Sequence, residues 1–106
     1  MKISSKKLGD YTILSLSGIL NASSAPQLKS YLEETDFSGS LIIDLELVDF
    51  LDSSGLGILV GIARRKKAAN EILKLANLND RVKKVFEITQ AYTLFDIYDE
   101  VNAAAE

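Results

Sequence analysis

The chain has 106 residues, 47% of them hydrophobic and 25% charged, enough for one globular domain with its own core. A net charge of −3 speaks against nucleic acid or an anionic membrane as the main partner, because phosphate binding needs clustered Lys and Arg. There is no cysteine and no histidine, which excludes disulfides, thiolate metal sites and any Ser-His-Asp or Cys-His mechanism.

Residues 3–7 alternate as an edge strand, Gly9-Asp10 makes the turn, and residues 11–17 form a second strand. Tyr11, Ile13 and Ser15 lie on one face of that strand and Thr12, Leu14 and Leu16 on the other. Apolar on both sides, it is predicted to be interior, and Gly18 is expected to end it. Ser24-Ala25-Pro26-Gln27 reads as a helix start: Ser24 caps, Pro26 sits in the first turn, and Gln27 completes a capping box. Leu28, Tyr31 and Leu32 give that helix its buried stripe, with an end near Glu34. A turn at Phe37-Ser38-Gly39 leads into a buried strand over residues 40–45.

The segment Asp52-Ser53-Ser54-Gly55-Leu56-Gly57 then opens a helix that is apolar almost all round until Arg64, and so is expected to be covered on most sides. Gly55, Gly57 and Gly61 are expected to let it approach a sheet closely, offsetting about 1 kcal/mol each in lost helix propensity. Arg64-Arg65-Lys66-Lys67 reads as its solvated end, where cations complement the dipole. Asn70 is a turn residue, Ile72, Leu73 and Leu75 form a short strand, and Asn79 or Asp80 caps a helix buried through Val82, Val85 and Phe86. Phe95 and Ile97 suggest a last extended piece, and Asp99 a cap for a terminal helix through Ala105. The order β-β-α-β-α-β-α-β-α favours parallel crossovers in one α/β domain. The N-terminus has no apolar stretch fit for a signal peptide, and the longest near-apolar run, residues 56–63, is too short to span a bilayer. A cytoplasmic location without membrane insertion is expected.

The glycines around Ser53 do not make a nucleotide loop: position 60 is Val60, and no Gly-Lys-Ser/Thr is present. A nucleophile elbow would need glycine ahead of the serine, where Leu51 and Asp52 stand. Asp44, Glu46, Asp49 and Asp52 read as an exposed acidic loop rather than a Mg²⁺ site, and Tyr92, Phe95 and Tyr98 as packing residues. No cofactor or metal is called for. A helix start carries unpaired N–H groups and the positive end of the dipole, so Ser53 can cap it or accept a phosphate there. The residues alone leave those two roles open.

Phe50-Leu51-Asp52-Ser53-Ser54-Gly55-Leu56-Gly57 resembles the signature of bacterial anti-sigma factor antagonists, the single-domain STAS proteins. The resemblance runs through the opening strands, Gly18, residues 41–45 and Val82-Lys83-Lys84-Val85-Phe86. It implies a STAS-like single domain over residues 1–106, a mixed sheet of about four or five strands with helices mainly on one side, and no catalysis by the chain itself. It further implies phosphorylation of Ser53 by a partner that is both anti-sigma factor and serine kinase. The unmodified chain would bind that kinase and free the sigma factor, phosphorylation would release it, and a PP2C-type phosphatase would reset the switch. The partner surface implied comprises Asn21, Ser23, Asp49, Asp52, Ser53, Ser54, Gly55 and Leu56. Many family members carry Gly-Glu-Leu-Asp where this chain has Gly18-Ile19-Leu20-Asn21, so an uncharged amide replaces a carboxylate. The competing reading is a non-switching STAS scaffold or regulatory subunit of a stressosome-like or transporter-associated complex, with Ser53 only a cap.

Overall fold

The computed structural model describes residues 1–34 and 39–106; the Phe37-Ser38 part of the expected turn lies outside them. Its elements are β1 (Lys2–Leu8), β2 (Tyr11–Leu20), α1 (Ala25–Glu34), β3 (Ser40–Leu51), α2 (Ser53–Ala68), β4 (Leu73–Ala76), α3 (Asp80–Thr89), β5 (Asp96–Tyr98) and α4 (Val101–Ala105). A short 3-10 helix, Ala91–Leu94, is the one element the sequence did not suggest. The strands form a single sheet in the order β1-β2-β3-β4-β5. The β1–β2 hairpin is antiparallel, and each later pairing is parallel, as helical crossovers require.

The two faces of β2 separate as predicted. Leu14 and Leu16 join Leu41, Ile43, Leu45 and Leu75 beneath Leu28 of α1, Leu59 and Ile62 of α2, and Val82 and Phe86 of α3. Ile13 joins Ile42 and Ala76 beneath Ala104 of α4 on the opposite face. Three helices therefore cover one face and a single short helix part of the other. Burying each leucine side chain contributes about 1.5–3 kcal/mol, so the larger cluster dominates the fold. Phe95 packs its ring 5.6 Å from that of Phe86, whereas Tyr92 is exposed and does not join the core.

Several local expectations are corrected. Gly18 does not end β2; at φ +106° it lets the strand continue to Leu20 through a register shift against β3. Ser24 does not cap α1 in a capping box. Its Oγ donates to the Ile19 carbonyl at 2.6 Å and accepts from the Asn21 N–H at 2.9 Å, while the Gln27 amide reaches the Met1 carbonyl at 2.9 Å. β3 runs on past Leu45 to Leu51, so Asp44, Glu46 and Asp49 are on a strand rather than a loop, and only Asp52 lies beyond it. α2 is not covered on most sides, since Gly57 and Gly61 are exposed and Leu56, Ile58 and Val60 only half-buried. The terminal helix takes Glu100, not Asp99, at its N-cap, without a side-chain cap bond. Asn79 does cap α3, accepting from the Val82 N–H at 3.0 Å, and Asn70 turns the chain at φ +59°.

Two lysines are buried. Lys66 is not part of a solvated helix end: its ammonium donates to the Gly39 carbonyl at 2.8 Å and pairs with Glu71 at 3.2 Å. Lys74 of β4 donates to the Ala104 carbonyl at 2.7 Å and lies 4.9 Å from the ring centres of both Tyr11 and Tyr98. It thus ties the last turn of α4 to the sheet. Its interaction with the Tyr11 hydroxyl holds its pKa above the ordinary value, against the opposing effect of burial, and Tyr98 adds in the same direction. A raised pKa means this contribution is complete at neutral pH and is lost only as pH climbs through that raised value. Lys74→Met keeps the packed stem but removes a charge-assisted hydrogen bond and two cation–π contacts. It should lower stability by about 2 kcal/mol in urea denaturation at pH 7 and speed amide exchange in α4.

Candidate functional site

β2 and β3 are parallel neighbours, so their C-terminal ends emerge together, with Leu20 registered on Leu51 and Ile19 on Phe50. The chain turns from Leu51 into α2 with only Asp52 between. Asp52 is extended (φ −106°, ψ −173°), and its Oδ1 accepts the Gly55 N–H at 2.9 Å. Asp52 is therefore the cap of α2, and Ser53 is its first helical residue. The expectation that Ser53 itself caps the helix is corrected. Ser53 and Ser54 are both exposed, and among the described residues their hydroxyls have no hydrogen-bond partner.

Gly55 is buried beneath this turn. A Cβ there would lie 2.3 Å from the Leu20 carbonyl oxygen and 2.7 Å from Leu51 Cδ1. The backbone meets the same neighbour, since the Asp52 N–H donates to the Leu20 carbonyl at 3.3 Å. Gly57 and Gly61 play no such part, because a Cβ at either meets nothing within 4 Å. Close approach to the sheet is a property of Gly55 alone among the three. Leu56 is half-buried and leans on the main core.

The β2–α1 turn stands at the same end. Asn21 Oδ1 accepts from the Ser23 and Ser24 N–H groups at 3.0 and 3.2 Å, and its own carbonyl accepts from Ala25 at 2.8 Å. An oxygen acceptor is what this turn uses, and an amide supplies it as well as a carboxylate would. Asn21 is half-buried and Ser23 exposed. Asp49 is exposed on β3, and its carbonyl accepts from Arg81 at 3.4 Å. Asp44 turns elsewhere, accepting from the Glu46 N–H and the Asn77 amide.

Three apolar side chains and one clamp escaped sequence reasoning. Ile19 (49% exposed) and Phe50 (52%), registered on each other, and Leu47 (64%) further back on β3 are exposed apolar side chains. The apolar content of Leu47-Val48-Asp49-Phe50-Leu51 could have signalled that β3 continues, but the segment does not alternate, so its outward residues were not legible from it. Asn79 holds the strand end: its amide donates to the carbonyls of Val48 at 2.7 Å and Glu46 at 3.1 Å. The arrangement can thus present two unengaged hydroxyls, those of Ser53 and Ser54, on a rigid helix start just past the end of β3.

A family profile described as STAS domain matches residues 2–104. The anti-sigma-B factor antagonist of Bacillus subtilis is 35% identical over 85 residues, covering 79% of this chain and 78% of the relative. Its namesake in Listeria monocytogenes is 32% identical over 90 residues, covering 83% and 79%. The fold is that of the anti-sigma factor antagonist SpoIIAA in its unphosphorylated form, with a TM-score of 0.72 at 21% identity over 98% of this chain and 94% of that one. It matches the phosphorylated form of SpoIIAA from Bacillus equally, with a TM-score of 0.71 at 20% identity over 97% and 96%.

Stability should separate four residues of the helix start in guanidinium titrations. Ser53→Ala should change it by less than about 0.5 kcal/mol, as for an exposed side chain without partners. Asp52→Ala should lose about 1 kcal/mol with the cap. Gly55→Ala should lose about 1–3 kcal/mol by overpacking, whereas Gly57→Ala should gain up to about 1 kcal/mol.

Proposed function

The chain belongs to the STAS domain family, and on that footing we propose that it is an anti-sigma factor antagonist switched by phosphorylation of Ser53. In the unmodified state it binds an anti-sigma factor that is also a serine kinase, and so frees the sigma factor. The observation that carries this reading is the unengaged Ser53 hydroxyl on the first residue of α2, made available because Asp52 does the capping. The names of its relatives support the antagonist role. The fold's likeness to both forms of SpoIIAA supports a phosphate being accommodated without refolding.

The chemistry divides between the two proteins. The Ser53 Oγ forms the new bond to the γ-phosphorus of ATP as the bond to the bridging oxygen breaks and ADP leaves. The hydroxyl proton goes to a base of the kinase. This chain has no histidine, and the nearest carboxylate in sequence, Asp52, is bonded to the Gly55 N–H. The phosphate adds about −1.5 to −2 charges next in the chain to Asp52 and four residues from the exposed Asp49. The unpaired N–H groups of the α2 start receive it, so the fold persists while the surface potential changes sharply. A partner fitted to the neutral hydroxyl then meets an unmatched, desolvated charge and dissociates. A PP2C-type phosphatase restores the first state by hydrolysing the ester. Asn21 keeps the neighbouring turn but leaves it one charge less negative than an aspartate would.

Incubation with an anti-sigma factor kinase from the same cell and ATP should add one phosphate, located at Ser53 by mass spectrometry. Modification elsewhere, or none, contradicts the proposal. By calorimetry Ser53→Ala should keep the affinity of the wild type, while Ser53→Asp should bind at least tenfold more weakly, about 1.4 kcal/mol.

A further inference from the structure

Helix α2 is apolar on nearly every side, yet the chain covers only part of it. Leu59 and Ile62 are buried, but Ile58 is left half-exposed and Gly61 open. Ile58 and Ile62 join Leu32 of α1 as the floor of a groove of about 210 Å³ between the two helices. Lys29 and Arg65 stand on its rims, and Gly61 forms part of its wall. No carboxylate lines it among the described residues. Glu33 reaches Arg65 only at 4.0 Å, with both side chains more than half exposed, so a partner's carboxylate can take its place with little loss.

Two further features bear on what fills this groove. Gly61 lies within a helix, has no left-handed φ and would meet nothing if it carried a Cβ. Its cost of about 1 kcal/mol in helix propensity therefore has no counterpart inside the chain. Ser54, Ile58 and Ile62 are spaced four residues apart, so they form one ridge of α2. On α2 the groove begins at Ile58, about 7.5 Å of helix rise beyond Ser53, and runs away from it along the helix.

We propose that the α1–α2 groove seats an amphipathic helix of the anti-sigma factor kinase, an inference that rests on the kinase-binding role assigned above. Apolar side chains of that helix, three or four residues apart, sit on Leu32, Ile58 and Ile62. Its carboxylates meet Lys29 and Arg65, and Gly61 lets its backbone come close. The paired cations choose an acidic partner segment, and their distance from Ser53 along α2 lets one kinase hold the groove while its active site addresses the hydroxyl.

The test is calorimetric titration of full-length kinase into the wild-type chain and into K29E/R65E, Gly61→Leu and Ser53→Asp. K29E/R65E should bind at least tenfold more weakly, with a loss that shrinks as salt is raised. Gly61→Leu fills open space with a better helix former, so it should raise the melting temperature while weakening binding at least tenfold. A folding defect would also weaken binding but would lower the melting temperature. Wild-type affinity in both groove variants, with Ser53→Asp still weakened, overturns the groove and leaves the phosphorylation switch standing. Loss confined to K29E/R65E overturns an inserted helix, because it shows surface charge attraction alone. A wild-type chain that binds no kinase removes both readings.

Discussion

The first turn of α2 lies so close to the end of β2 that one methyl group at position 55 would sit 2.3 Å from the Leu20 carbonyl oxygen. Everything about the candidate site follows from that contact. It fixes where the helix begins and brings the Asn21 turn and the Ser53 turn to one end of the sheet. It also leaves Asp52 as the only residue between strand and helix. With no loop between them, Ser53 is positioned by the backbone of two rigid elements.

The same end is held by side-chain oxygens that do the work of absent helix carbonyls. Asn21, Asp52 and Asn79 each accept backbone N–H groups at the start of a turn or helix. Asn79 serves twice, because its amide also grips the carbonyls of β3 where that strand slips against β2. A bulged strand has carbonyls without ladder partners, and each such buried group left unpaired would cost about 1–3 kcal/mol. The opposite end uses cations for the equivalent task. Lys66 satisfies the Gly39 carbonyl and Lys74 the Ala104 carbonyl. The fold is thus pinned at both ends by polar groups and filled between them by leucine and isoleucine.

α2 shows how a local rule can be right about the helix and wrong about its surroundings. Its apolar residues face nearly every direction, which in a monomer predicts cover on most sides. The chain fully buries only Gly55, Leu59, Ile62 and Lys66 of the helix and leaves Gly57 and Gly61 exposed. Apolar surface left beside paired cations is the usual mark of a partner's seat rather than of poor packing.

Alternation and punctuation determined the element order, the interior place of β2, the two faces it presents, the N-cap of α3 and the turn at Asn70, because these depend on neighbours within a few residues. The signature around Ser53 likewise identified the family from the sequence. Boundaries and duties at the site were decided by distant parts of the chain. Gly18 continues a strand because β3 slips against it, and Ser24 turns back to Ile19 because that carbonyl is within reach. Which of Asp52, Ser53 and Ser54 caps α2 was settled by Leu20, thirty-odd residues earlier, whose carbonyl binds the Asp52 N–H and leaves its carboxylate facing Gly55. Local propensity names the residues able to cap a helix, but only the packed sheet end decides which one does; because Asp52 does, the Ser53 and Ser54 hydroxyls are both left exposed.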